Sequence, residues 1–102
     1  MLALRPNCEL CDVDLPPDAP DARICSYECT FCATCVEDVL HNVCPNCGGG
    51  FVPRPIRPQE AWREGADLSS NPPDTTRRYT KYSTAELAAF VAEIRDIPPE
   101  ER

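Results

Sequence analysis

No stretch of this 102-residue chain approaches the roughly twenty consecutive apolar residues that a bilayer-crossing helix requires. The N-terminus, Met1-Leu-Ala-Leu-Arg-Pro-Asn, lacks an apolar run of signal-peptide length, so a reducing, cytoplasmic setting without membrane contact is expected. Histidine is nearly absent: His41 stands alone, and is expected to be exposed or packed rather than to bind metal. Positive charge is scarce in the first half. Residues 1–50 hold Arg5 and Arg23 against Glu9, Asp12, Asp14, Asp18, Asp21, Glu28, Glu37 and Asp38. So acidic a module repels phosphate backbones, and nucleic acid is not an expected partner.

What the chain has in abundance is thiol. Cys8, Cys11, Cys25, Cys29, Cys32, Cys35, Cys44 and Cys47 fall within forty residues, and no cysteine occurs elsewhere. This is the ligand count of two tetrahedral Cys₄ zinc sites. The two-residue gap within Cys8/Cys11 and Cys44/Cys47, and in the run Cys29, Cys32, Cys35, turns neighbouring sulfurs toward one ion. A disulfide inside such a pair would be strained. Two Zn²⁺ per chain are therefore the expected cofactors. The size agrees, because about fifty residues cannot bury a self-sufficient core, and metal binding should be coupled to folding. A closed Cys₄ shell leaves no position for a catalytic water, and no metal-free thiol with a general base is visible. No catalytic residue is expected.

Three segments are read along the chain: a two-zinc module over 1–52, a proline-rich extended and partly irregular linker over 53–82, and a helix with its tail over 83–102. Asp14–Asp21 reads as a proline-stiffened acidic surface loop. Phe51–Pro58 carries three prolines and reads as a strand exit entering the linker. Gln59–Tyr82 reads as a solvated stretch pinned in part by Trp62. Ser83-Thr-Ala-Glu86 has capping-box form, and Leu87, Phe90, Val91 and Ile94 follow at helical spacing. The spacing predicts a helix over 84–96 that packs on the chain's own module or on a second copy, which leaves a homo-oligomer open.

Two partitions of the cysteines are sensible. A sequential scheme gives the first four to one ion and the last four to the other. A crossed scheme gives Cys8, Cys11, Cys32 and Cys35 to the first, and Cys25, Cys29, Cys44 and Cys47 to the second. Val36, Val39, Leu40 and Val43 recur at helical spacing. Eight helical residues span roughly 12 Å, a rod that bridges two ions more readily than it returns to one. The crossed scheme is favoured on that ground.

The spacing Cys8-x₂-Cys11-x₁₃-Cys25-x₃-Cys29-x₂-Cys32-x₂-Cys35-x₈-Cys44-Pro-x-Cys47 resembles the RING-finger ligand pattern, with Cys29 where histidine is usual. Arg5-Pro-Asn-Cys8, Leu15-Pro-Pro-Asp-Ala19, Cys29-Thr-Phe-Cys32 and Cys44-Pro-Asn-Cys-Gly-Gly49 also resemble a family of short bacterial eight-cysteine proteins catalogued only as a domain of unknown function. The RING resemblance implies a surface for a ubiquitin-conjugating enzyme. Leu10 and Pro45 match it, although each also suits plain packing. Gly48 departs from it, standing where active ligases place a basic residue.

The expected fold is a small zinc-stabilised α+β module of RING-like, treble-clef cross-brace type, followed by an extended linker and a C-terminal amphipathic helix. The expected role is non-enzymatic protein interaction; the RING resemblance implies a surface at Leu10, Phe31, Val39, Leu40 and Pro45, with the acidic loop selecting a basic partner. A RING-type ubiquitin-like ligase adaptor contacting a conjugating enzyme and a zinc-thiolate redox switch are the alternatives.

Overall fold

The computed structural model describes all residues, 1–102. Its centre is a three-stranded antiparallel sheet of order β2-β1-β3, formed by β1 (Ala22–Ile24), β2 (Thr30–Cys32) and β3 (Val52–Pro53). In β1, Ala22 and Ile24 are buried while Arg23 between them turns outward, the period-two pattern of a half-covered strand. Ile24 pairs with Thr30 on one side and Val52 on the other. Glu28, at φ 67°, closes the β1–β2 hairpin, and its N–H donates to the Cys25 carbonyl at 3.1 Å.

Helix α1 (Ala33–Asp38) follows β2 without a loop because Cys32 serves as its N-cap, the thiol accepting the Cys35 N–H at 3.5 Å. Sequence spacing extends helical order from Val36 through Val43, but α1 stops at Asp38. His41 and Asn42 adopt φ of 46° and 62°, left-handed values incompatible with a continuing helix. Val36, Leu40 and Val43 are nevertheless buried, while Val39 stays 43% exposed. Phe31, Leu15, Leu40 and Val43 are the largest fully buried apolar side chains, and Phe31 meets Phe51 edge to face at 5.5 Å.

Between β3 and helix α2 (Thr84–Ile94) the backbone is irregular but held to residues 1–16 by hydrogen bonds. Arg54 is 5% exposed and donates to the carbonyls of Arg5 (2.9 Å), Leu15 (3.2 Å) and Pro16 (3.0 Å). Arg57 reaches the Leu2 and Asn71 carbonyls. Asn7, fully buried, donates to the Arg78 carbonyl at 2.8 Å and accepts the Arg78 N–H at 3.2 Å. Trp62, expected as a pin, is 73% exposed; arginines and an asparagine do the fastening. Arg54→Met should cost about 2–3 kcal/mol in urea denaturation, because it leaves the buried Leu15 carbonyl and the part-buried carbonyls of Arg5 and Pro16 without this donor. Arg54→Lys should recover only part, since an ammonium lacks the planar fork that spans all three.

Ser83 caps α2 with the reciprocal pair expected: its hydroxyl accepts the Glu86 N–H at 3.2 Å, and Glu86 accepts the Ser83 N–H at 3.0 Å. Leu87 and Val91 are buried and Phe90 and Ile94 half-buried, so the apolar stripe faces the chain's own module. Ser83→Ala should lower stability by about 1 kcal/mol, measurable as a lower Tm. No helix is long and apolar enough to cross a membrane.

Candidate metal centres

Two turns present cysteine pairs in the same way. In the first, the Cys8 N–H donates to the Val13 carbonyl at 2.9 Å and the Asp12 N–H to the Cys8 carbonyl at 3.0 Å. In the second, the Cys44 N–H donates to the Gly49 carbonyl at 2.8 Å and the Gly48 N–H to the Cys44 carbonyl at 2.7 Å. Each turn needs a left-handed residue directly after its second cysteine, Asp12 at φ 66° and Gly48 at φ 78°. Asp and Gly tolerate that region at low cost.

The first turn meets the end of β2 and the start of α1. The sulfurs of Cys8, Cys11, Cys32 and Cys35 all lie within 4.8 Å of one another, and Cys11 Sγ is 3.7 Å from Cys32 Sγ. A tetrahedral ion with bonds of about 2.3 Å to sulfur separates its ligands by about 3.8 Å, so this set fits one metal ion. The second turn meets the tip of the β1–β2 hairpin. Cys25, Cys44 and Cys47 lie mutually within 4.8 Å. Cys29 falls outside that tight set, but its sulfur accepts the side-chain amide of Asn46, from the second turn, at 3.3 Å. His41 belongs to neither group.

Polar hydrogens point at the sulfurs. The Tyr27 N–H approaches Cys25 Sγ at 3.3 Å, the Gly49 N–H approaches Cys47 Sγ at 3.4 Å, and the Asn46 amide approaches Cys29 Sγ at 3.3 Å. Such donors lower the charge cost of a thiolate. Cys29 is pulled down to about 5 by hydrogen bonding from Cys44, assisted by Asn46 and by the positive field of Arg5. The Cys44 thiol is pushed up, first by that same pairing with Cys29 and then by burial. Burial drives Cys25 up to about 11. Crowded thiols compete for negative charge, and a divalent cation removes the competition by favouring every thiolate together. Asn46 and Arg5 went unread as partners of Cys29 in the sequence; the only signal was the position of Asn46 inside Cys44-Pro-Asn-Cys47.

The expected partner surface is largely interior. Phe31 and Leu40 are 0% exposed, Phe31 because it packs against Phe51 and Leu40 because the chain folds its N–H back to the Cys35 carbonyl. Neither reaches a partner. Pro45 is buried and joins Tyr82, Leu87, Phe90, Glu86 and Glu93 in lining an open groove of about 610 Å³. Leu10 is half-buried against the core cluster that includes Leu87. Of the five, Val39 is the most exposed. The acidic loop is anchored by buried Leu15 and Ala19, and Asp14 at its start and neighbouring Asp12 each bind Arg77 of the same chain at 2.7 Å.

The arrangement of cysteines, turns and sheet lies wholly within residues 1–57, and over that span the chain matches the family described as "Protein of unknown function (DUF1272)". The chain belongs to this family. The matched span ends just past Arg54, so DUF1272 includes all eight cysteines and excludes α2. "Uncharacterized protein R02474" of Rhizobium meliloti (strain 1021) is 67% identical over 58 residues, which cover 57% of this chain and 69% of that relative. No solved structure matches.

Proposed function

We propose that residues 1–52 form a RING-like, treble-clef cross-brace around two structural zinc ions, and that the module serves non-enzymatic protein interaction. The observation that carries the zinc assignment is the interleaving of the sulfur sets. Cys8 and Cys11 gather with Cys32 and Cys35, while Cys25, which lies between them in sequence, gathers with Cys44 and Cys47. Cys29 is the fourth ligand in this reading, its sulfur held by the side-chain amide of Asn46, which lies between Cys44 and Cys47 in the chain. All-thiolate tetrahedra suit zinc, and with every ligand position filled by protein the ion has no place for a substrate. Native mass spectrometry under reducing conditions should find two zinc ions per chain, with all eight thiols protected from alkylation. One zinc or none, with reactive cysteines, would break the assignment.

The interaction role is supported by the groove beside Pro45, whose apolar floor carries Glu86 and Glu93 at its edge and suits a basic, partly apolar partner segment. The overall charge of −7 supports a protein partner over nucleic acid. Packing of the α2 stripe on its own module supports a chain that does not pair through that face. A ligase-adaptor role is less well supported, since Gly48 lies under Phe90 and Ile94 where a transferred ubiquitin would need a basic contact. Faster ubiquitin discharge from a panel of loaded conjugating enzymes would reverse that preference. Redox switching has one observation in its favour, the exposure of Cys11 and Cys47. Release of one zinc at low peroxide, reversed by thiol, would establish it.

A further inference from the structure

We infer that the Phe90–Ile94 end of α2 and Arg102 are positioning elements for the second cysteine set: docked over the Cys44–Gly49 turn, they control metal exchange at Cys25, Cys29, Cys44 and Cys47. The first set exchanges independently of them. This rests on the metal-binding reading above and adds a role for residues beyond the family match.

The second turn is built from a chain that would otherwise be loose. Gly48, Gly49 and Gly50 follow Cys47 in succession, and glycine restricts its own backbone less than any other residue. Yet this run carries the bonds that shape the ligands: Gly48 N–H to the Cys44 carbonyl, Gly49 carbonyl to the Cys44 N–H, and Gly49 N–H to Cys47 Sγ. Its restraint comes from the C-terminal segment. A Cβ on Gly48 would lie 3.5 Å from Ile94 Cδ1 and 3.8 Å from the Phe90 ring, and one on Gly50 would lie 3.0 Å from Pro99. Arg102 Nη1 donates to the Gly48 carbonyl at 3.1 Å and to the Asn42 carbonyl at 2.7 Å. The ligand Cys47 itself borders a hollow shared with Phe90, Ile94 and Pro99.

The first turn is fastened differently. Arg77 binds Asp12 through its carboxylate and its carbonyl, and Asn7 bonds to both Asp12 and Arg78. None of these contacts involves Phe90, Ile94 or Arg102. Linkage makes the effect mutual at equilibrium: metal in the second set must favour docked α2 by the same factor by which docked α2 raises the affinity of that set for metal. An eleven-residue helix is marginal alone, so once undocked α2 should also fray.

The test loads the full chain with two equivalents of ¹¹³Cd, assigns the two resonances through coupling to cysteine protons, and follows each during a chase with EDTA. In Phe90→Ala and in Arg102→Ala, which leaves the core untouched, the second-set resonance should decay on the order of tenfold faster, a typical loss of affinity between coupled sites expressed in the off-rate. The first-set resonance should keep its rate. Arg77→Ala should leave the second set unchanged. In parallel, Cys47→Ser should speed amide exchange over residues 84–94, and Cys11→Ser should not. Unchanged decay of both resonances in Phe90→Ala and Arg102→Ala, or equal acceleration of both, would overturn the inference while leaving two-metal binding intact. Uptake of fewer than two equivalents by the unaltered chain would remove the metal reading, and this inference with it.

Discussion

Stripping the metal from the protein at neutral pH under reducing conditions should unfold residues 1–52 rather than loosen them. The sheet has strands of three, three and two residues, and the buried cluster is built in large part from the cysteines themselves. Cys8, Cys25, Cys29, Cys32, Cys35 and Cys44 are all core members, so the interior is held through sulfur as much as through hydrocarbon. Structural zinc contributes apparent binding energies of about 10–16 kcal/mol in small modules, comparable to or above the roughly 5–15 kcal/mol net stability of a whole domain. Circular dichroism during chelator titration should therefore show the folded signal lost by the time both ions are removed, and restored by adding zinc. Native-like spectra after complete metal removal would show that the apolar core suffices.

The second large effect is expected from Phe31→Ala, with a loss of about 3–5 kcal/mol in metal-loaded protein. Phe31 has no exposed surface and lies at the centre of β2, with Phe51 edge-on against it. Thr30 and Cys32 on either side are also buried, so the neighbouring chain has little freedom to collapse into the void. Phe31→Leu should recover more than half of the loss, because it restores volume but not the ring contact. Guanidinium denaturation at fixed excess zinc measures both. A loss below about 1 kcal/mol for the alanine variant would mean that the site relaxes to fill the void.

Much of this molecule can be read from its sequence wherever the signal is local. The gathering of cysteines into two sets follows from their number and pair spacing, and the start of α2 follows from Ser83 and Glu86, whose mutual bonds involve residues three apart. The stripe Leu87, Phe90, Val91, Ile94 sets its inward face, and the helix ends at Ile94, two residues short of the expected limit. Local periodicity misleads at Val36–Val43, where Val36 is buried within α1 but Leu40 and Val43 are buried by the turn that follows it. At two or three residues, the strands are too short for their alternation to stand out from chance in the sequence. Least legible are the long-range fastenings. Nothing near Arg54 marks it as the donor to three carbonyls some forty residues earlier, and Arg77 finds Asp12 and Asp14 across more than sixty residues. Charged residues in proline-rich stretches read as solvated, and only the folded path shows which are enclosed.

The interleaved sulfur sets also bear on how the chain is made. A polypeptide emerging from its N-terminus presents Cys8, Cys11, Cys25 and Cys29 before Cys32 and Cys35 exist. Under the proposed metal binding, those four thiols would offer an early ion a cage different from the final one, since in the finished protein Cys25 gathers with Cys44 and Cys47. Reaching the final arrangement then requires two sulfurs to be exchanged on a metal already held, and the later pair must arrive before the early cage hardens. Slow zinc delivery during synthesis would favour correct assembly, and abundant zinc would favour the trapped isomer.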